Sequence, residues 1–332
     1  MSRYDVVGIG NAVVDVIAPG GDDFLGRMGI EKGIMQLIER DRAETLYAAM
    51  LDQREIPGGS VANTIAGVGN LGLRTAFIGR VADDALGRFY VAALAAEGTD
   101  FPNPPVAGAA LPTSRSMIFV GEDGERSMNT YLGISAEVGP ADVDPAVAGA
   151  ARFLFLEGYL FDKDPGKAAF RAAAAACRAG GGQAGITLSD PFCVNRHRAD
   201  FRALIAGGLG FVLGNEHEWQ ALYQTADLDA ALAQAAAECP LVVCTRSGAD
   251  VVLIGAAEGR VEVPVHRVQP VDATGAGDQF AAGFLYGLAT GAPLAVAGRM
   301  GCIAAAEVIG HVGARPETDL RKLFRAQGLT AG

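Results

Sequence analysis

Four apolar runs of strand length, at 153–157, 183–189, 211–214 and 241–245, alternate with Ala-rich stretches of helical period at 164–178, 198–206 and 228–238. Strands that are apolar throughout and joined by helices form parallel sheets with both faces covered. This alternation constrains the chain to an α/β domain. Upstream, 4–10 reads as a further strand ending in Gly-Ile-Gly-Asn, and 75–81 as another. Helices are expected at 41–52, from Ser60 (a residue able to cap) through Leu71, and at 84–97. A hairpin at 251–254 and 261–265 and two long helices at 278–290 and 293–309 close the domain.

Two segments break the alternation. The runs 115–120 and 126–132 flank Glu122-Asp-Gly124, a hairpin turn, and 12–40 fits no βαβ unit. They are expected to form a small β lid over the carboxyl ends of the parallel strands, where ligands bind in such sheets. The body would then hold roughly 1–11, 53–105 and 133–332, and the lid roughly 12–52 and 106–132. At 332 residues and 50% hydrophobic, the chain can bury a core of that size.

Asp272-Ala-Thr-Gly-Ala-Gly-Asp278 runs directly into Phe280, Ala281, Phe284, Leu285 and Leu288, which recur at helical spacing. A glycine turn opening into a helix leaves backbone N–H groups and a partial positive charge facing the turn. Gly275, Ala276 and Gly277 thus offer a place for an anion such as a transferring phosphate. Asp278, in the first turn, is placed to accept a proton from a hydroxyl, and the pair suits phosphoryl transfer to an alcohol. The plainer reading is a tight turn with an acidic cap.

Other classes are disfavoured. A net charge of −11 without a basic run argues against nucleic acid or an anionic membrane surface as partner. No apolar run has transmembrane length, and no N-terminal signal pattern is seen. The five Cys are widely spaced and read as buried free thiols of a reducing cytoplasm. The four His are scattered without zinc spacing, whereas magnesium carried in by a nucleotide stays open. Gly8-Ile-Gly-Asn-Ala-Val13 lacks the third Gly of a dinucleotide fingerprint, no P-loop exists, and Gly58-Gly-Ser-Val-Ala62 fails as a hydrolase elbow.

Asn11 and Asp15 follow the first strand, and Asn63 follows Gly58-Gly59. Together they can bind vicinal sugar hydroxyls, or serve as turn and helix residues. Asn215-Glu-His-Glu218 sits at a strand-to-helix junction, either ordering water around a phosphate-bound magnesium or forming an N-cap. Thr245-Arg-Ser-Gly248 is either a phosphate contact or a polar turn.

These segments, in this order, resemble the PfkB (ribokinase-like) family of carbohydrate and nucleoside kinases. Gly58-Gly-Ser-Val-Ala-Asn63 through Gly79-Arg-Val-Ala-Asp-Asp84 is similar to its first signature, Asp272–Asp278 to its second, and Asn215-Glu-His-Glu218 to its Asn-x-x-Glu motif. Within the family, Met35-Gln-Leu-Ile-Glu39, Arg126-Ser-Met-Asn-Thr-Tyr-Leu132 and Leu188-Ser-Asp-Pro-Phe192 resemble adenosine kinases. Thr245-Arg-Ser-Gly248 departs from the pattern by lacking a second Gly.

The resemblance implies a three-layer α/β/α body with a mostly parallel sheet and a small β-sheet lid. It implies ATP with Mg2+ as cofactor, the ion reached through water by Asn215 and Glu218, and ATP contacts at Thr245, Gly248 and Gly277. Asn11, Asp15, Gly59 and Asn63 would hold ribose hydroxyls, and Leu37, Leu132 and Phe192 a nucleobase. Asp278 would be the general base, Arg126 a lid cation that closes on the site, and Asp272 with Thr274 the site of K+. The implied reaction is phosphorylation of the 5′-hydroxyl of adenosine, by a monomer or homodimer. A sugar kinase acting on ribose or fructose is the nearest alternative, and a non-catalytic nucleotide or sugar sensor the alternative of another class.

Overall fold

The computed structural model describes residues 4–329. Its main sheet has nine strands, in the order Gly259–Val263, Ala249–Gly255, Leu241–Arg246, Phe211–Asn215, Gln183–Thr187, Ala151–Glu157, Tyr4–Ile9, Thr75–Ile78 and Thr99–Asp100. All pairings are parallel except the two at the Gly259–Val263 edge. Strand side chains alternate between faces, and the cores follow that period. Val7, Leu154, Leu156, Ile186, Val212 and Val242 enter one core with helices Asp164–Ala179, Pro191–Ala206 and Leu228–Glu238. Val6, Phe153, Phe155, Phe211, Leu213 and Val243 enter the other with Ser60–Asn70 and Ala276–Ala289. The expected layered α/β body with a mostly parallel sheet is therefore present.

A second sheet has five strands, in the order Met35–Leu37, Arg126–Tyr131, Ser114–Val120, Val13–Pro19 and Arg54–Gly58. Arg54–Gly58, expected in the body, instead pairs antiparallel with Val13–Pro19, with Val13 opposite Gly58 and Asp15 opposite Ile56. This register sets Asp15 beside the Gly58-Gly59 turn.

Two helix starts differ from the sequence reading. The helix expected at 198–206 begins at Pro191, because Asp190 accepts the Cys193 N–H at 2.7 Å and Pro191 presets the first turn; a break at His197 (φ −123°) marks where the periodicity restarts. Ser60 is not a cap. Gly59 holds that position, and the Ser60 hydroxyl is used elsewhere. All five Cys are buried and free. No helix among the described residues is long and apolar enough to cross a membrane.

Candidate active site

The carboxyl ends of the parallel strands converge on the turn before helix Ala276–Ala289. Gly275 caps that helix at φ +79°, and a Cβ there would meet Ala314 at 2.6 Å, so both the conformation and the packing demand glycine. The Ala276 N–H is turned back to the Ala273 carbonyl at 3.2 Å. The N–H groups of Gly277 and Asp278 find no acceptor among the described residues, which leaves two donors for an anion.

Asp278 accepts from Ser60 Oγ at 2.7 Å through Oδ1 and from Asn63 Nδ2 at 3.1 Å through Oδ2. Burial pushes its carboxyl up to about 6, against the pull of the Ser60 and Asn63 bonds and the Arg315 charge. A carboxylate perturbed toward neutrality in a cleft is suited to exchange a proton.

Asp15 faces the same cleft and accepts no hydrogen bond among the described residues. Burial also raises its carboxyl to about 6, opposed by Arg126 and Arg315. Asn11 and Asn63 lie beside it but are already engaged. Asn11 donates to Glu157 Oε1 at 2.8 Å and accepts from Ser135 Oγ at 2.9 Å. Asn63 spans Asp278 and Arg315. Of the polar groups expected to meet sugar hydroxyls, Asp15 is therefore the one with free acceptors. Gly59, at φ +100°, brings the turn so close to Asn11 that a Cβ would meet its carbonyl oxygen at 2.2 Å.

On the other side, Asn215 and Glu218 close a reciprocal capping box. Asn215 Oδ1 accepts the Glu218 N–H at 3.0 Å, and the Asn215 N–H and Nδ2 donate to Glu218 at 2.8 and 2.6 Å. Burial lifts the Glu218 carboxyl to about 7, against its bond from the Asn215 N–H. Thr245 lines the same cavity, whereas Gly248 lies in the turn beyond it and is not brought in. Val268, Val271 and Val312 are exposed; Val271 precedes Asp272 and Val312 precedes Gly313, which are hydrogen-bonded to each other, and the Val271 N–H bonds to the Ile309 carbonyl at 2.7 Å. No group of three or more His, Cys, Asp or Glu able to hold a metal occurs among the described residues. Asn215 and Glu218 offer oxygen donors of the kind magnesium takes.

Both oxygens of Asp272 are taken. Oδ1 accepts from the Thr274 N–H at 3.0 Å, and Oδ2 from Arg126 at 2.6 Å and the Gly313 N–H at 2.9 Å. Burial opposes ionisation, but these bonds and the Arg126 charge hold the carboxyl below its usual range. Three hydrogen bonds on Asp272 are thus made inside the protein, and Arg126 points to Asp272.

Two cavities flank Asp278. One, of about 400 Å³, is lined by Asn11, Asp15, Gly59 and Asn63 and by Met35, Leu37, Met128, Leu132, Tyr159 and Phe192. The other, of about 300 Å³, is lined by Asn215, Glu218, Thr245 and Gly275–Gly277. Ser60, Tyr159 and Asp278 belong to both. Leu37 and Phe192 are 53% and 75% exposed, one on the small sheet and one on the body, so their apolar faces stand open to the cleft.

Sequence reasoning missed Ser60, Glu157 and Arg315. Glu157 is buried and accepts from the N–H groups of Asn11 (3.1 Å) and Val61 (3.0 Å), tying together the two turns that carry Asp15 and Gly59. A charged residue ending an otherwise apolar central strand was its signal. Arg315 offers none, because it reaches the site from a polar C-terminal loop.

Comparison with known proteins supports the fold and the family. A profile described as pfkB family carbohydrate kinase matches residues 33–320. The adenosine kinase from Sinorhizobium meliloti superposes with a TM-score of 0.90 at 46% identity, covering 98% of this chain and 100% of that one. A probable sugar kinase from Rhizobium etli CFN 42 gives 0.91 at 44%, covering 99% and 100%. A fructokinase from Klebsiella pneumoniae is 31% identical over 71% of this chain and 78% of its own length. These relatives transfer phosphoryl groups to hydroxyl acceptors, and the chain belongs to the pfkB family of carbohydrate and nucleoside kinases.

Proposed function

We propose that the protein is an ATP-dependent kinase that phosphorylates the 5′-hydroxyl of adenosine. The observation that carries this reading is the sharing of Asp278 and Ser60 by two cavities, one edged by the glycine turn and the other holding Asp15 beside apolar side chains. The cavity at the glycine turn, with the free N–H groups of Gly277 and Asp278, suits the phosphates, and the exposed Val271 and Val312 suit the adenine of ATP. The other offers Asp15 to ribose hydroxyls and apolar walls to a base. Nucleotide-borne Mg2+ would neutralise phosphate charge, within reach of Asn215 and Glu218 through water.

In the transfer, the Asp278 carboxylate takes the proton of the acceptor hydroxyl. The hydroxyl oxygen bonds to the γ-phosphorus as the β–γ bridging bond breaks, and that bond's electrons leave with ADP. Negative charge on the moving phosphoryl group is met by the Gly277 and Asp278 N–H groups.

The apolar residues favour a nucleoside. Leu37, Leu132 and Phe192 would cover a planar base by hydrophobic burial, and a free pentose has no such surface to cover. The likeness to the Sinorhizobium adenosine kinase supports the same choice. The fructokinase relative favours a second reading, a hexose or pentose acceptor held on Asp15. A binding-only sensor would have no use for the Ser60 and Asn63 bonds that orient a base. ADP release should be followed with ATP, Mg2+ and adenosine, inosine, ribose or fructose in parallel. Turnover confined to nucleosides is expected; turnover with ribose or fructose alone would favour the second reading.

A further inference from the structure

We infer that Arg315 is a positioning residue that fixes the base Asp278 through Asn63. Its Nε donates to Asn63 Oδ1 at 3.3 Å, and Asn63 Nδ2 donates to Asp278 Oδ2 at 3.1 Å. A side-chain amide has one accepting and one donating end, a guanidinium only donates, and a carboxylate only accepts. Asn63 therefore has one orientation that satisfies both neighbours, and Arg315 selects it. Without Arg315 the amide is free to turn its oxygen toward a protonated Asp278 and accept its O–H, which favours the neutral form of the base.

The guanidinium is itself held. Arg315 pairs with Glu97, the residue that ends helix Ala85–Ala96. The neighbouring Ala314 carbonyl accepts from Gln279 Nε2 at 3.0 Å, and the same nitrogen donates to the Asn63 carbonyl at 3.0 Å. The C-terminal loop is thus tied both to the residue after the base and to the residue that orients it. Arg315 Nη2 is buried without a partner. A loop arginine left in water would avoid that penalty, so packing alone gives no reason for the burial.

The charged and titratable groups around Asp278 are Asp15 on strand Val13–Pro19, Glu157 at the end of Ala151–Glu157, Tyr159 after it, and Arg315. Three of these four carry or can acquire negative charge. Arg315 is the cation set against them, and its charge favours the ionised base.

The inference rests on Asp278 acting as base, and the test separates the two. Turnover at saturating ATP and adenosine is measured across pH for wild type, Arg315→Gln, Arg315→Lys, Asn63→Ala and Asp278→Asn. Arg315→Gln is expected to move the acid limb up by about one pH unit. The wild-type-to-variant ratio would then be roughly 5 near pH 6 and close to 1 near pH 8. Arg315→Lys should move the limb less, and Arg315→Gln should move it less in an Asn63→Ala background than in wild type, because the part carried by Asn63 is already lost and only the charge remains to be removed. A uniform loss at every pH, or additive losses in the double variant, would overturn the role of Arg315. If Arg315→Gln fails to fold, Glu97→Ala, which unpins the guanidinium without removing it, should move the same limb; an unmoved limb overturns the inference. Turnover retained in Asp278→Asn would instead remove the base assignment on which the inference stands.

Discussion

Arg126 donates to Asp272 at 2.6 Å, and the two side chains are only 9% and 8% exposed. One sits on a strand of the small sheet, and the other begins the segment that becomes the glycine turn. The pair makes the small sheet and the turn one mechanical unit. Because it is buried, removing one partner strands a charge away from water. Arg126→Gln is expected to lower unfolding free energy by roughly 3 kcal/mol in a denaturant titration. A loss well under about 1 kcal/mol would mean that water already screens the pair.

Activity should fall on acidification with a midpoint near the values of the two cleft carboxyls. Asp278 and Asp15 are both raised to about 6, and the proposed transfer needs Asp278 ionised. Protonation as pH drops through that value removes the base, so kcat should decline below it and level off above it. Ser60→Ala, which deletes the 2.7 Å donor to Asp278, should shift this limb upward, because the charged form loses a hydrogen bond. A limb that stays in place in Ser60→Ala would exclude Asp278 as the titrating group.

Gly59→Ala tests the close approach of the two turns. Its φ of +100° is hostile to alanine, and the added methyl would strike the Asn11 carbonyl. The expected cost is about 2 kcal/mol or more in stability, with a raised KM for the acceptor as Asp15 is displaced from Gly58. An unchanged acceptor KM in a folded variant would show that this turn does not shape the acceptor cavity.

Phe192→Ala separates nucleoside from sugar. The ring is 75% exposed, so the variant should keep its stability. If a base covers the ring, KM for adenosine should rise about 10-fold while any activity on ribose stays unchanged, reflecting lost hydrophobic burial of about 1.5 kcal/mol. Equal changes for both acceptors would return Phe192 to an ordinary surface residue.

The parallel sheet was legible because fully buried strands and Ala-rich helices leave strong periodic signals, and the glycine turn was legible because its spacing is short and local. The membership of Arg54–Gly58 in the small sheet was not, since that strand carries Arg, Glu and Pro and pairs with residues some 40 positions away. Asn215 and Glu218 showed the limit of reading roles from residue type. Their capping box satisfies each with the other, which sequence spacing fits as well as it fits a metal contact. The polar network behind Asp278 was invisible for a different reason. Ser60, Asn63 and Arg315 come from two distant segments, and only the packing of the C-terminal loop against Gly275 brings them together.

The central claim is that Asp278 is the base of a phosphoryl transfer to a nucleoside hydroxyl. The direct measurement compares ATP-dependent ADP release with adenosine in wild type and Asp278→Asn, alongside ATP binding by titration calorimetry. The account predicts a fall in turnover of roughly 100-fold or more with ATP affinity little changed, as expected when a general base is lost and the anion site is left intact. Near-normal turnover in Asp278→Asn would contradict it.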